Sequence, residues 1–438
     1  MRHALLIGAE RPVPCGRWLC GYCRPGARST GRGGRVTHDQ QRLDDEEAEQ
    51  VEAVRPPDLN HDSNRSATRL ELFFDLAFVL FVARCADLLA KDETWHGALV
   101  FCAVLTVGWW AWVSTTLYAN RFDTDDAIFR LLTLAAMVGV VAMAASVDRI
   151  GGPGEYWFAI GYVLIRLALI VGYVRAWRHV PDARATIRLY LIGHSLGAAV
   201  WLVSPAVPEP ARYWVWAAGV LVDLAWPTAA ARLKDAVPLH LEHLPERFGL
   251  FVILVLGESV AAVVTGLHDS AWSPSVVATA TAALVVAAAL WWVYFDLSGG
   301  AAKRRLTDEG DKGTKHGVHD FYVYIHLPLT VCLAAVAVGL EHAVLHGADD
   351  HLTTGTRWVL GISTAGYLLS AAVMQAKLGR RVRGALLWPG LGVPLALVIA
   401  AFDRPAVVTV GLYTALTVVG VIAGFLLHRS GEVRTAKV

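Results

Sequence analysis

The sequence predicts an all-α, polytopic membrane protein of about twelve transmembrane helices. Hydrophobic residues make up 55% of the 438 residues, and charged residues only 18%, whereas an ordinary soluble domain carries about 25% charged residues. The mean hydropathy is +0.45. Apolar runs of about 20 residues, the length of helix that crosses a bilayer, recur along the chain. The net charge of +1 favours no nucleic-acid partner.

A polar extension precedes the first apolar run. Residues 1–60 are rich in Arg, Gly and Pro and hold too little apolar surface to fold alone. We therefore expect a disordered cytoplasmic extension without a secretory signal. Cys15, Cys20 and Cys23 match three ligands of a plant-type iron–sulfur pattern, but no suitable fourth cysteine follows. The sequence predicts no cofactor and no metal.

Twelve apolar runs follow, separated by turn-forming or charged residues such as those of "NRFDTDD" and "RIGGPGE". Each run has about the length of a transmembrane helix. The predicted spans are residues 70–90, 97–119, 127–147, 155–177, 187–204, 211–231, 247–267, 275–297, 321–345, 357–376, 384–402 and 406–428.

The charges of the loops support an even number of spans. Eighteen Lys and Arg residues lie in or beside loops that follow even-numbered spans, against five for the odd-numbered spans. Cytoplasmic loops collect Lys and Arg. We therefore expect a multi-pass protein of the cell membrane with both termini in the cytoplasm.

Two stretches suggest an internal repeat of six spans. "ELFFDLAFVLF" at the start of span one resembles "ERFGLFVILVL" at the start of span seven, which aligns Glu71 with Glu246 and Phe73 with Phe248. The Trp pairs of "GWWAW" and "LWWVY" align in spans two and eight. Since six is even, the halves have the same orientation. We predict a 6+6 parallel repeat, with six-helix bundles at residues 61–231 and 232–438.

Five motifs in order resemble the bacterial low temperature requirement A (LtrA) family: "ELFFDLAFV", "ANRFDTDD", "LPERFGLFVILVLGES", "WWVYFD" and "IHLPLTVCLAAVAVGLE". The similarity runs from about Arg69 to the C-terminus. It implies a multi-pass membrane protein and, through the family's name, a link to growth in the cold. It implies no particular reaction.

Two acids interrupt the first apolar run. Glu71 and Asp75 are four residues apart, so they share one helical face and repel each other. They need an arginine, a proton or a cation, and Arg69 or Arg247 lies at the same level. Glu246 lies beside Arg247. The group is either a structural ion pair or an entry site for protons or cations.

Charged residues also occur near the middle of predicted spans, where a charge costs at least ~2.5–3.5 kcal/mol. Glu258 is our main candidate for a proton carrier, because a buried carboxylate without a partner tends to be neutral. The alternative is a packing residue held by hydrogen bonds. Arg166 is central in span four, and we expect it to pair with Glu258 or with Asp223.

Further titratable residues lie at the span ends. Asp296 and His326, with His194, are expected to join Asp75 in a cytoplasmic vestibule, and histidine suits proton relay. On the outer side, Glu341 opens a segment rich in His and acids. His342 and His346 within it share a helical face, which allows either a divalent metal site or a solvated loop.

No complete catalytic set is visible, so we do not expect an enzyme. "GHSLG" matches a nucleophile elbow, but it lies within an apolar span instead of an α/β sheet. Gly193 and Gly197 in it are typical of close helix packing. Asp125 and Asp126 favour the N-terminus of span three over a calcium loop.

These features together favour a secondary transporter, coupled to protons or a cation, for an unknown small solute. Glu258 carries the ion in this hypothesis, and Asp75 and Asp296 line the cytoplasmic gate. An ion channel and a non-transporting membrane factor in cold adaptation are the alternatives. The ion-pathway candidates are Glu71, Asp75, Arg166, Asp223, Glu246, Arg247, Glu258, Asp296, His326 and Glu341.

Overall fold

Helices dominate the computed structural model, as predicted. It describes residues 54–59, 68–123, 125–230, 244–299, 316–378 and 382–429. Among these, the only strands are two residues long, Asp58–Leu59 and Phe122–Asp123, which pair antiparallel. Most of the predicted N-terminal extension, with Cys15, Cys20 and Cys23, lies outside the described residues.

Each predicted span coincides with one α-helix, within a few residues at either end. Short 3-10 turns flank several of the helices, and a π-helical segment, Val293–Gly299, directly follows the eighth. In chain order the helices are α1 Arg69–Lys91, α2 Trp95–Arg121, α3 Ala127–Ser146, α4 Tyr156–His179, α5 Arg184–Val203, α6 Ala211–Ala230, α7 Leu244–Asp269, α8 Pro274–Trp292, α9 His316–Leu345, α10 Thr354–Leu378, α11 Val382–Ala401 and α12 Ala406–Arg429.

Nine helices within the described ranges are long and apolar enough to cross a membrane. Helices α1, α6 and α11 fall outside this set. Helix α1 carries six charged side chains, and in the part of α11 whose side chains are described, Pro389–Ala401 is a shorter apolar helix. Helix count and an all-α fold are therefore confirmed, while twelve spans remain a prediction.

Polar side chains define where several helices begin. Thr68 Oγ1 accepts a hydrogen bond from the Glu71 amide at 3.2 Å, and Asp126 Oδ1 accepts one from the Phe129 amide at 2.9 Å. Such caps satisfy amides that have no partner within the helix and contribute about 1 kcal/mol each. The expectation that the "RFDTDD" acids start α3 is confirmed for Asp126.

Helix α1 occupies a central place in the bundle. It packs against α2 and α3 on one side and against α7 and α9 on the other. One continuous cluster of buried apolar side chains runs from α1 to α12. Helices from both predicted halves therefore share a core, and the boundary at 231/232, which lies outside the described residues, stays a prediction.

The positions aligned by the proposed repeat occupy different environments. Phe248 is fully buried, whereas Phe73 is 52% exposed. Trp109 and Trp110 are buried, whereas Trp291 and Trp292 are 40% and 43% exposed. The tryptophan pair of α2 therefore packs in the core, whereas the pair of α8 lies partly at the surface. The six-plus-six repeat also stays a prediction.

Candidate functional site

A buried ion cluster joins α1, α2 and α7 at the end of the bundle where the odd-numbered helices begin. Arg247 Nη2 lies 3.0 Å from Asp75 Oδ1, and Arg247 Nη1 lies 3.5 Å from Glu71 Oε2. Trp112 Nε1–H donates to the same Asp75 oxygen at 2.8 Å. We call Glu71, Asp75, Trp112 and Arg247 the inner ion cluster.

Helix geometry accounts for this convergence. The spacing of four residues places Glu71 and Asp75 on one face of α1, and this face is turned toward α7. Arg247 belongs to the first turn of α7, at the level of the first two turns of α1. Sequence analysis named Arg247 as one of two possible partners for these acids, and the structure places it there.

Asp75 carries an unsatisfied atom. The residue is 0% exposed, and both hydrogen bonds from Arg247 and Trp112 reach Oδ1. Oδ2 is buried and receives no hydrogen bond from any residue that the structure describes. A buried polar atom without a partner costs about 1–3 kcal/mol, and more when charged. A small cation beside Oδ2 would remove this cost, and a proton on Oδ2 would remove the negative charge of Asp75.

Aromatic rings enclose the inner ion cluster on its α2–α7 side. The Trp112 ring stacks on Phe251 with 4.1 Å between centroids and meets the edge of Phe248 at 5.0 Å. All three side chains are buried. They keep bulk water from this side of Asp75, which strengthens its electrostatic interactions.

His326 of α9 lies behind this aromatic wall, with its ring 4.7 Å from that of Phe248. Its Nδ1 lies 2.7 Å from the Tyr322 carbonyl oxygen, which only accepts, so Nδ1 carries the proton. The other nitrogen, Nε2, lies 2.9 Å from Tyr294 Oη and accepts from that hydroxyl in the neutral ring. These two contacts fix the orientation of the His326 ring, and Phe248 lies between this ring and Trp112 of the inner ion cluster.

Two backbone irregularities adjoin His326. Tyr294 belongs to the π-helical segment Val293–Gly299, a geometry that often occurs at functional sites. Pro328 lies inside α9 and has no amide hydrogen to continue the helical bonding. Asp296, in the same π-helical segment, is half-buried. Sequence analysis did not foresee the π-helical segment.

A second group of acids lies farther along the same helices. Glu258 of α7 is half-buried and close enough to Asp87 of α1 and Glu341 of α9 for mutual repulsion. Twelve residues separate Asp75 from Asp87, which corresponds to about 18 Å along the helix. We call Asp87, Glu258 and Glu341 the outer acidic group. Glu246, by contrast, is exposed at the start of α7.

An apolar layer separates the inner ion cluster from the outer acidic group. The intervening turns of α1 and α7 bury large apolar side chains that belong to the continuous core. These buried apolar side chains lie between the two levels along α1 and α7. Its members are Phe78, Phe81, Val82, Phe251, Val252 and Val255.

A third polar group is centred on Arg166 of α4, which is 0% exposed. Its Nη2 lies 3.1 Å from Asp223 Oδ2, and its Nη1 donates to Ser114 Oγ at 2.9 Å. Tyr162 donates to Asp223 Oδ2 at 2.5 Å. Of the two partners that sequence analysis allowed for Arg166, the structure selects Asp223.

His194 belongs to this third group and not to a vestibule with Asp75. Its Nδ1 lies 3.2 Å from Arg166 Nη1. Two glycines of α5 allow it to pack closely against α6. A Cβ at Gly197 would lie 2.6 Å from Asp223 Oδ1, and a Cβ at Gly193 would overlap the Trp226 ring. The prediction that the two glycines of "GHSLG" serve helix packing is confirmed.

At the opposite end of the bundle, the Glu93 carboxylate connects the segment between α1 and α2 to α9 and α10. Glu93, between α1 and α2, accepts a hydrogen bond from His342 Nδ1 at 2.8 Å. Thr356 of α10 donates to Glu93 Oε2 at 2.9 Å, and Thr353 donates to it at 3.1 Å. Burial alone would raise the pKa of Glu93, but these hydrogen bonds outweigh it and lower the pKa.

Glu93→Gln is expected to destabilise the protein by about 1.5–3 kcal/mol, the usual contribution of hydrogen bonds to a charged group. Because the pKa of Glu93 is lowered in the fold, its stabilisation is full above the unfolded value of about 4.3 and is lost as the pH falls through the folded value. The melting temperature, measured for both proteins from pH 7 to pH 3, checks this.

The control for this variant is Glu209→Gln, which changes a half-exposed side chain 3.7 Å from Arg212. Exposed pairs contribute about 0–1 kcal/mol, so this control should melt near the wild type. Equal melting temperatures for Glu93→Gln and the wild type at pH 7 would contradict the assigned contribution.

The histidines of the outer segment do not converge. His342 contacts Glu93, whereas His346 Nδ1 lies 2.8 Å from Asp349 Oδ2. Among the described residues, no group of three or more His, Cys, Asp or Glu side chains has metal-binding geometry. The histidine spacing alone was therefore insufficient to indicate a metal site.

The predicted pathway residues thus fall into separate groups. The structure brings Glu71, Asp75 and Arg247 together, and it brings Arg166 to Asp223 and Glu258 to Glu341. His326 lies behind Phe248 and contacts none of the three residues of the first group. Sequence analysis missed Trp112 and Tyr162. The "GWWAW" motif contained Trp112, but only tertiary packing shows which of its indoles faces an acid.

Comparison with known proteins identifies the family. A model of the bacterial low temperature requirement A protein (LtrA) matches residues 66–423, which include all or most of every helix. The chain belongs to the LtrA family. The uncharacterized protein RA0937 of Rhizobium meliloti (strain 1021) is 24% identical over 324 residues, 67% of this chain and 77% of that protein. LtrA membership and the apolar helices identify an integral, multi-pass membrane protein.

Proposed function

We propose that the protein is a secondary transporter in which Asp75 binds a proton or a small cation. The observation that supports this is the buried Oδ2 of Asp75, which receives no hydrogen bond from a described residue. Ionisable groups within membrane proteins are costly and commonly mark ion pathways.

Arg247 supplies a mechanism for coupling. Its guanidinium lies between Asp75 and Glu71, so neutralising Asp75 weakens one of its two attractions. Arg247 then shifts toward Glu71, and the contact between α1 and α7 loosens. Because α7 also carries Glu258, the same movement changes the distance between Glu258 and Asp87 of α1. Ion binding at one level thereby alters access at the other.

The apolar layer between the two levels favours transport over a channel. A channel requires a continuous hydrated path in its open state, whereas alternating access requires a barrier that moves. The protein is proposed to lie in the cell membrane with both termini in the cytoplasm, on the basis of its loop charges. The proposed mechanism involves no covalent chemistry.

Proteoliposomes containing a pH-sensitive dye test the proposal. Wild-type protein is expected to accelerate proton movement when a solute from a broad panel, or an alkali cation, is imposed as a gradient. Asp75→Asn, which keeps the size of the side chain, should reduce this flux at least tenfold. Glu258→Gln should reduce it as well, because an amide cannot bind and release a proton at the outer acidic group.

Asp182→Asn is the matched control, since Asp182 is exposed in a short turn between α4 and α5. It should transport like the wild type. Flux through Asp75→Asn equal to that of the wild type would contradict the proposal. Flux that never saturates with solute would indicate the channel alternative, and no flux from any protein would favour a non-transporting membrane factor.

A further inference from the structure

A large cavity is distinct from the three polar groups, although Phe158 and Val220 in its wall lie one helical turn from Tyr162 and Asp223. It has a volume of about 720 Å³ and is formed by α2, α4 and α6 together with the end of α1. Pockets of roughly 300–1,000 Å³ are typical of sites that hold a small molecule. No residue of the inner ion cluster or the outer acidic group lines it.

The cavity wall is almost entirely apolar. Buried Phe158, Val104 and Trp216 are among the side chains of its wall. Leu99 and Leu221 also line it and are 69% and 65% exposed, so the cavity opens sideways past them toward the membrane. A lateral opening of this kind gives a molecule in the bilayer access to the cavity.

The depth of the cavity matches one leaflet. Along α2 its lining extends from His96 to Val107. These eleven steps correspond to about 16 Å of helix, and one leaflet of a bilayer with a hydrocarbon core of about 30 Å is about 15 Å thick. The cavity therefore has the length that a single acyl chain needs.

Polar groups occur mainly at one end of the cavity. Asp92 and His96 line that end, on the side where α1 ends and α2 begins. The Thr94 side chain and the Thr94 amide hydrogen-bond to Asp92 and lower its pKa, so this carboxylate is ionised at neutral pH. An ionised carboxylate at the membrane interface is complementary to an ammonium group that can donate hydrogen bonds.

We propose that this cavity binds one membrane lipid, with an acyl chain between α2 and α6 and a primary ammonium headgroup at Asp92. The lipid class is that of the ethanolamine phospholipids. A quaternary ammonium cannot donate a hydrogen bond to Asp92, and an anionic headgroup is repelled by it. The proposal is independent of the proposed transport function.

The proposed binding of one ethanolamine phospholipid is tested by native mass spectrometry of the full chain, released from detergent micelles. The protein is mixed with phosphatidylethanolamine, phosphatidylcholine or phosphatidylglycerol of identical acyl chains. The wild type is expected to retain one phosphatidylethanolamine, at least tenfold more tightly than either other lipid. Ala217→Trp, which places an indole in the cavity, should reduce retention of all three lipids at least tenfold.

The Asp92→Asn variant tests recognition of the headgroup independently of binding of the acyl chain. It should retain one lipid but lose the preference for phosphatidylethanolamine. Ala278→Trp, at an exposed position of α8 that does not line the cavity, should behave like the wild type. If Ala217→Trp fails to fold, Val220→Trp, at another position of the same wall, replaces it.

Three outcomes would overturn the proposal. One is equal retention of the three lipids by the wild type, and another is unchanged retention by the indole variants. The third is retention of detergent in place of lipid at saturating lipid concentrations. Because retention is measured without any transport, failure of the flux experiment leaves this result unaffected, and the converse also holds.

Discussion

Replacing Arg166 with methionine is expected to destabilise the protein by about 3–5 kcal/mol, the cost of breaking a buried ion pair by removing one partner. Asp223 would keep its charge, with Tyr162 as its only remaining contact from this group. Ser114 and His194 would also lose a partner. Thermal or denaturant unfolding in detergent measures the loss.

A second substitution shows whether charge causes this loss. Arg166→Met combined with Asp223→Leu removes both charges, and replacing a whole buried pair by apolar residues is often neutral or stabilising. The double variant should therefore be more stable than Arg166→Met alone. Arg188→Met, at an exposed position of α5, is the control and should change stability little. A double variant less stable than Arg166→Met would contradict this account.

Replacing Arg247 with leucine is expected to cost a similar 3–5 kcal/mol, because it leaves the buried Asp75 without its guanidinium. Trp112 would remain its one hydrogen-bond donor in the inner ion cluster. Arg247→Lys keeps the positive charge, but its single ammonium group replaces a guanidinium that reaches both acids. The stability of this variant should therefore lie between that of Arg247→Leu and that of the wild type. Unfolding experiments rank the three proteins.

A double-mutant cycle isolates the contact between α1 and α7. In the variant that combines Arg247→Leu with Asp75→Asn, the amide is neutral and needs no counter-ion. Its stability should exceed that of Arg247→Leu, with a coupling energy of about 0.5–3 kcal/mol, as for residues in one network. Strict additivity of the two substitutions would show that Arg247 and Asp75 do not interact in the folded protein.

The helices follow directly from the sequence because their cause is local. Apolar runs of bilayer length, bounded by turn residues and caps such as Asp126, predicted twelve helices, and each is present. The pairing of Glu71 and Asp75 with Arg247 could also be predicted, because few other charged partners lie at the same depth in the membrane. The order of the helices around the bundle could not be predicted.

Side-chain direction accounts for most of what sequence analysis missed. Three tryptophans lie within "GWWAW", and nothing in the motif itself distinguishes Trp112 from Trp109 and Trp110. Similarly, His194 was placed with Asp75 on the basis of depth, but its helix faces α4 and Arg166. The depth of a residue in the membrane follows from its position in the sequence. The direction in which its side chain points around the helix axis, relative to the bundle, depends on how neighbouring helices pack.

Composition, apolar run length and five motifs were sufficient to establish an all-α membrane protein of the LtrA family, because hydrophobic length and helix ends are properties of contiguous residues. Tertiary structure alone decided that Arg166 pairs with Asp223, that Asp75 Oδ2 has no described donor, and that α2, α4 and α6 enclose a cavity. These features depend on how helices distant in sequence rotate and approach one another, and no contiguous segment contains that information.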